Sequence, residues 1–261
     1  MAVPWETLET IDTPDGPLAL LRRGEREFLL TVRGRVLMTS AAHRSEDDLA
    51  RLACAHLEKT SQAHVLVSGL GMGFTLRAAL DVLGPRARFV VAELNPVVAA
   101  WCKGPLAALT GGAANDGRVS LVLRDVAAVL REVAAGPPAG RFDVIVLDMY
   151  EGPQNKLSRR DPLYGPEAIA QTRRALVEGG TFAVWCEQPS ADFERSLRSA
   201  GFVWERIRTG HGGRVHLVYV ARGVTQPGPS ASNSLGSKAP GLHDRTSPPS
   251  SGTRPPRRSV S

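Results

Sequence analysis

Three glycines at alternate positions, Gly69-Leu70-Gly71-Met72-Gly73, follow the short apolar run Val65 to Val67 and precede Leu76, Ala79 and Leu80, which share one helical face. Glycine lets the chain turn sharply and bring its backbone against a ligand with no Cβ in the way, so a strand–turn–helix of this kind can seat a small molecule. A dinucleotide fingerprint would put glycine at position 74, where this chain has Phe74; the G-x-G-x-G spacing suits a nucleoside without a pyrophosphate better. Taken alone, the turn is also what a tight strand-to-helix connection needs. Twenty residues after Gly73, Glu93-Leu94 ends the next β-type run, and a carboxylate there can accept from both hydroxyls of a ribose. Asp125-Val126 follows the run Val119 to Leu123: Asp125 can accept from an adenine amino group while the next amide donates to the ring, or it can serve as the N-cap of the helix it precedes. A fourth run, Phe142 to Leu147, leads into Asp148-Met149-Tyr150-Glu151-Gly152-Pro153, two carboxylates and a phenol. Glycines, an acid and an acid on three strand ends in order are much harder to obtain by accident than any one of them.

These residues need a scaffold that brings strand ends together. From His64 onward strand and helix signals alternate: Phe89 to Ala92, a helix from Pro96, Val119 to Leu123, a helix carrying Val126, Val129, Leu130 and Val133, the continuously apolar Phe142 to Leu147, a helix from Tyr164 to Val177, Thr181 to Trp185, and a helix with Phe193, Leu197 and Ala200. Val203 to Ile207 and Val215 to Val220, joined through Gly210-His211-Gly212-Gly213, read as a closing hairpin. Such alternation predicts an α/β fold: a doubly wound, mostly parallel, Rossmann-like sheet with a C-terminal antiparallel hairpin, as in class I methyltransferases. Ligands bind beyond the carboxyl ends of such strands. Ahead of it, Leu18 to Leu21, Phe28 to Val32 and Arg35 to Met38, separated by turn residues, predict a small N-terminal β meander, and Ser45-Glu46-Asp47-Asp48 has the pattern of a capping box opening a helix that ends near Lys59. The expected organisation is a meander over residues 1–40, a nucleoside-binding α/β domain over 41–222, and a disordered, basic, Pro/Ser-rich tail over 223–261.

Charge and cysteine usage narrow the partners. The net charge is +6, but Lys238, Arg245, Arg254, Arg257 and Arg258 against Asp244 alone place +4 of it in the tail, so the folded part is close to neutral and gives no sign of a nucleic-acid partner. Cys54, Cys102 and Cys186 are odd in number, far apart and without metal-ligand spacing, as expected of reduced thiols in the cytoplasm, with no metal bound. The start Met1-Ala2-Val3-Pro4-Trp5-Glu6 lacks the features of a signal peptide, and no apolar stretch could span a bilayer, so no membrane is expected as a partner.

Asp148, Tyr150 and Glu151 should stand at the mouth of the crevice that holds the nucleoside. If the nucleoside carries a sulfonium, alkyl transfer is an in-line displacement in which positioning supplies most of the rate. An amine acceptor arrives protonated, so it needs acidic groups to hold it and one to take a proton. Asp148 and Glu151 are the candidates, although Glu151 also reads as a loop charge before a Gly-Pro turn. Glu187 and Gln188, at the next strand end, could reach the acceptor or be solvated; His211 and His216 are assigned structural roles, and Trp101 and Trp185 places in the core.

From Leu37 to about Val220 the chain resembles the spermidine synthase family of aminopropyltransferases. The resemblance rests on Val65-Leu66-Val67-Ser68-Gly69-Leu70-Gly71-Met72-Gly73, Glu93-Leu94-Asn95-Pro96-Val97-Val98, Phe142-Asp143-Val144-Ile145-Val146-Leu147-Asp148 and Leu163-Tyr164. It implies a methyltransferase-like fold behind an N-terminal β domain, decarboxylated S-adenosylmethionine as donor and a diamine such as putrescine as acceptor. It further implies Glu93 on the ribose, Asp125 on the adenine, Glu151 where the family has its proton-accepting aspartate, and a homodimer. The chain departs from the family at Met72, where the family has an aspartate that helps hold the donor's amine, and in the region where the family has a Gln and a Tyr-His-Glu segment, which here reads Leu37-Met38-Thr39 and Arg44-Ser45-Glu46, without the Tyr and His. Met72 leaves room for a methyltransferase using intact S-adenosylmethionine, and the incomplete acceptor site and long tail for a non-catalytic nucleoside-binding protein.

Overall fold

A computed structural model describes residues 3–59, 62–209 and 215–223. Among these, alternate apolar residues of the central strands pack on opposite faces of one sheet, as a two-residue period requires. Val65 and Val67 of β5 (His64–Ser68), Val144 and Val146 of β8 (Phe142–Leu147), and Val218 and Val220 of β11 (His216–Gly223) enter one core cluster. Leu66, Ile145, Leu147, Tyr219 and Ala221 enter the other. Helices α1 (Arg44–Cys54), α2 (Phe74–Val82) and α3 (Pro96–Lys103) cover the first face; α4 (Val126–Ala135), α5 (Pro166–Ala175) and α6 (Ala191–Ser199) cover the second.

With β6 (Arg88–Glu93), β7 (Val119–Leu123), β9 (Leu176–Cys186) and β10 (Phe202–Thr209), the sheet runs β10-β11-β9-β8-β5-β6-β7. The strands β5 to β9 are parallel and the β10–β11 pair is antiparallel, so the doubly wound sheet and closing hairpin expected from the sequence are present. Chain order runs outward from β5 through β6 to β7, then jumps to β8 on the other side of β5. The switch point therefore lies between β5 and β8, where a crevice opens at their carboxyl ends.

Residues near the N-terminus form a separate four-stranded antiparallel sheet of β1 (Glu6–Thr13), β2 (Gly16–Arg23), β3 (Glu27–Val32) and β4 (Arg35–Thr39). Its inward residues Leu18, Leu20, Phe28 and Leu30 join the core beside α1, and the Trp101 indole donates to Glu9 Oε2 at 2.6 Å, tying β1 to α3. Strand β1, Glu-Thr-Leu-Glu-Thr-Ile-Asp-Thr, has too few apolar residues to announce itself and is made by pairing with β2. Helix α1 differs from the capping-box expectation: His43 is its N-cap, the Ser45 hydroxyl turns to Glu46 Oε2 at 2.5 Å, and the helix ends at Cys54. His43 instead stacks on Phe74 at 4.1 Å, which sets the start of α1 against the start of α2. The tail and the Gly210 to Gly213 connection, His211 included, lie outside the described residues, save Gly223, which ends β11. No helix among the described residues is long and apolar enough to cross a membrane.

Candidate functional site

The glycine turn is welded to the strands on either side. Gly69 N donates to Ala92 O of β6 at 3.0 Å, and Asp148 N donates to Ser68 O of β5 at 3.1 Å, so three strand ends meet at one place. Gly69 has φ +79°, and a Cβ there would lie 2.4 Å from the Asp148 carbonyl oxygen. Two independent constraints thus demand glycine. Gly69→Ala should lower the thermal midpoint by about 5 °C or more, since a backbone clash and a left-handed φ add to over ~2 kcal/mol; an unchanged midpoint would show that the turn is plastic. Gly71 faces the Met38 thioether of β4, 3.0 Å from where its Cβ would be, so the N-terminal sheet reaches the turn itself.

Glu93, 9% exposed at the end of β6, closes the turn from the other side: Oε2 accepts from Leu70 N at 2.9 Å and Oε1 from Asn95 N at 2.8 Å. Asn95 in turn caps α3 by accepting from Val97 N. Leu94 projects outward, 72% exposed, whereas Leu70 and Met72 are buried in the core beneath the turn. Asp125 occupies the N-cap of α4, accepting from Ala128 N at 2.8 Å, with Val126 buried behind it. Capping is therefore what this exposed carboxylate does in the fold.

Asp148 follows β8, beside the turn. Its carboxyl is held away from water and accepts from the Thr75 hydroxyl of α2 at 2.5 Å. Burial, and then the neighbouring Glu46 carboxylate of α1, push it up to about 7, with the Thr75 bond opposing. Beyond it, Met149 turns back so that its sulfur accepts from the Ser68 hydroxyl at 3.2 Å, Tyr150 is 55% exposed, and Glu151 stands exposed on a turn whose carbonyl accepts from Gln154 Nε2. Met149, Tyr150 and Glu151 line a cleft of about 440 Å³ together with Asp161, Leu163 and Tyr164. The glycine turn, Glu93, Asp148 and Glu151 all stand at the carboxyl edge of one sheet; Glu187 and Gln188 are exposed at the end of β9.

Thr75, Glu46, Asp161 and Tyr164 belong to this neighbourhood but were not singled out for it by residue type or spacing. Only Tyr164 carried a signal, within Leu163-Tyr164. Trp101 is core, as expected, and His216 packs on Trp185 at 4.8 Å. Burial pushes all three thiols up to about 12, so none is a nucleophile near neutral pH. Among the described residues no three His, Cys, Asp or Glu side chains are grouped so as to hold a metal ion.

No family model matches the chain. It is 31% identical over 191 residues to polyamine aminopropyltransferases of Mycobacterium tuberculosis and Mycobacterium bovis, a match covering 71% of this chain and 35% of theirs. The chain thus spans about a third of the length of these curated relatives. Among solved structures, spermidine synthase from Thermotoga maritima superimposes with a TM-score of 0.65 at 18% identity, over 85% of this chain and 74% of that one. A spermidine synthase in complex with the transition state analogue AdoDATO gives 0.64 at 18% identity, over 85% and 73%. The structures establish the fold. In sequence and in fold the chain is similar to the polyamine aminopropyltransferases, the family whose likeness its strand-end residues carry.

Proposed function

We propose that this chain is a spermidine-synthase-like transferase, moving an aminopropyl or related alkyl group from a decarboxylated S-adenosylmethionine donor to a small amine such as putrescine. The observation that carries the reading is Asp148: a desolvated carboxyl, pushed up to about 7, whose backbone abuts the glycine turn and whose chain neighbour Met149 lines the cleft. A primary amine is protonated in neutral water and cannot attack until it loses that proton. A base whose pKa lies near the working pH is ionised often enough to act and basic enough to take the proton. Glu151, exposed on the cleft wall, would draw the cation in, with Tyr150 beside it.

The donor's adenosine would lie on Gly69 to Gly73. Each Glu93 oxygen accepts one backbone N–H and keeps lone-pair capacity for a ribose hydroxyl. Asp125 and Val126 would meet the adenine. The amine nitrogen then bonds to the carbon next to sulfur as the carbon–sulfur bond breaks; methylthioadenosine leaves and the amine's proton passes to Asp148 or Glu151. The curated relatives' name supports this reading, as does the complex of a structural neighbour with a transition state analogue. Three buried free thiols support a cytoplasmic setting.

Isothermal titration with S-adenosylmethionine, its decarboxylated form and methylthioadenosine tests the donor. Binding of the latter two, with an aminopropyl mass increment on putrescine, is expected. No binding of any of the three would remove the proposal, and a methyl increment would replace it with methyl transfer.

A further inference from the structure

Tyr164 is the one of the three tyrosines whose hydroxyl is both buried and without a hydrogen-bonding protein partner. The Tyr219 hydroxyl accepts from Ser190 N at 3.0 Å and donates to Glu194 Oε1 at 2.8 Å, and Tyr150 is exposed. Tyr164 is 7% exposed and its oxygen is sealed from solvent without a hydrogen bond. A buried hydroxyl left unpaired costs stability, and such a group calls for an explanation. The fold does not supply one, because the ring packs edge-on against Phe193 at 5.7 Å, a contact phenylalanine would make equally well.

The hydroxyl's setting supplies one. Asp161 Oδ1 accepts from Leu163 N at 3.0 Å and Tyr164 N at 2.7 Å, fixing the backbone so that Tyr164 forms part of the cleft wall with Glu151 and Gln154. Burial, followed by the neighbouring carboxyl groups of Asp161 and Asp148, holds the phenol in its protonated form. It therefore keeps both a proton to give and lone pairs to accept with.

We infer that the Tyr164 hydroxyl positions the acceptor amine, whose nitrogen docks between the phenol oxygen and the Glu151 carboxylate in the cleft that both residues line. This rests on the transfer reading above. A neutral primary amine has two N–H groups, one for each of these oxygens, which leaves its lone pair for the donor carbon. A secondary amine has one and must leave an oxygen unpaired, so the pair of oxygens selects primary over secondary amines.

Tyr164→Phe removes only the oxygen. In the full chain with methylthioadenosine bound, the dissociation constant for putrescine by titration calorimetry should rise about 10- to 100-fold. The thermal midpoint of the free protein should rise by a few degrees, because an orphaned polar atom is gone. Tyr219→Phe, which breaks two bonds, should lower it. In turnover, KM for putrescine should rise more than kcat falls. A fall in midpoint for Tyr164→Phe would show that the hydroxyl has a structural partner and overturn the inference. So would equal putrescine binding in the two proteins, or none in either, whatever their activity. If wild type binds putrescine through this hydroxyl yet transfers no aminopropyl group, the transfer reading falls and the role of Tyr164 stands.

Discussion

Asp148→Asn should reduce transfer by about 10²- to 10⁴-fold, the usual contribution of a positioned general base, and should make the protein harder to unfold above pH 7. The stability gain follows from proton linkage. The folded-state value of about 7 lies above the ordinary 3.8, so between those values the native state keeps a proton that the unfolded chain has released. Native stability therefore falls as pH rises through this window, and the loss is complete above about 7. Asparagine does not titrate, can still accept from the Thr75 hydroxyl, and escapes the loss, an advantage of about 2–4 kcal/mol. For a domain of this size that is roughly 5–10 °C in thermal midpoint at pH 8, shrinking towards nothing near pH 4. The same ionisation should give wild-type turnover an ascending limb near pH 7. Melting curves of the two proteins from pH 4 to 8 check the claim; a constant difference between them would mean that the Asp148 carboxyl is not held neutral by its surroundings.

Glu93→Gln should unclasp the glycine turn. Leu70 N and Asn95 N each donate to a different carboxylate oxygen, and an amide offers one oxygen and one NH₂, so one backbone N–H must face another donor. Leaving that buried N–H unpaired costs about 1–3 kcal/mol, visible as a midpoint lower by roughly 2–10 °C. If Glu93 also takes the ribose hydroxyls, methylthioadenosine should bind about 10- to 100-fold more weakly by calorimetry. A lower midpoint with full nucleoside affinity would reduce Glu93 to a clamp on the turn.

The fold was readable wherever one residue's burial follows its neighbours' period. The runs at Val65 to Val67 and Phe142 to Leu147 had to be central strands because both faces are apolar, and both faces are covered. Strand β1 escaped notice for the converse reason: its pattern is mostly polar, and only the ladder to β2 makes it a strand. Ser45 looked like a cap because its type and spacing fit one. His43 holds that place because its ring stacks on Phe74, a contact no local pattern encodes.

By itself, the sequence determined which side chains stand at the strand ends, since period and turn residues set where strands stop. That was sufficient to put Gly69, Glu93, Asp125 and Asp148 on one edge and to suggest the family likeness. What those groups touch was decided by tertiary structure alone. Thr75 meets Asp148 across 73 positions and Glu93 meets Leu70 across 23, because strand order sets β8 and β6 on the two sides of β5. Proton affinity and unpaired hydroxyls, as at Asp148 and Tyr164, are properties of surroundings: the water excluded and the charges nearby come from segments distant in the chain.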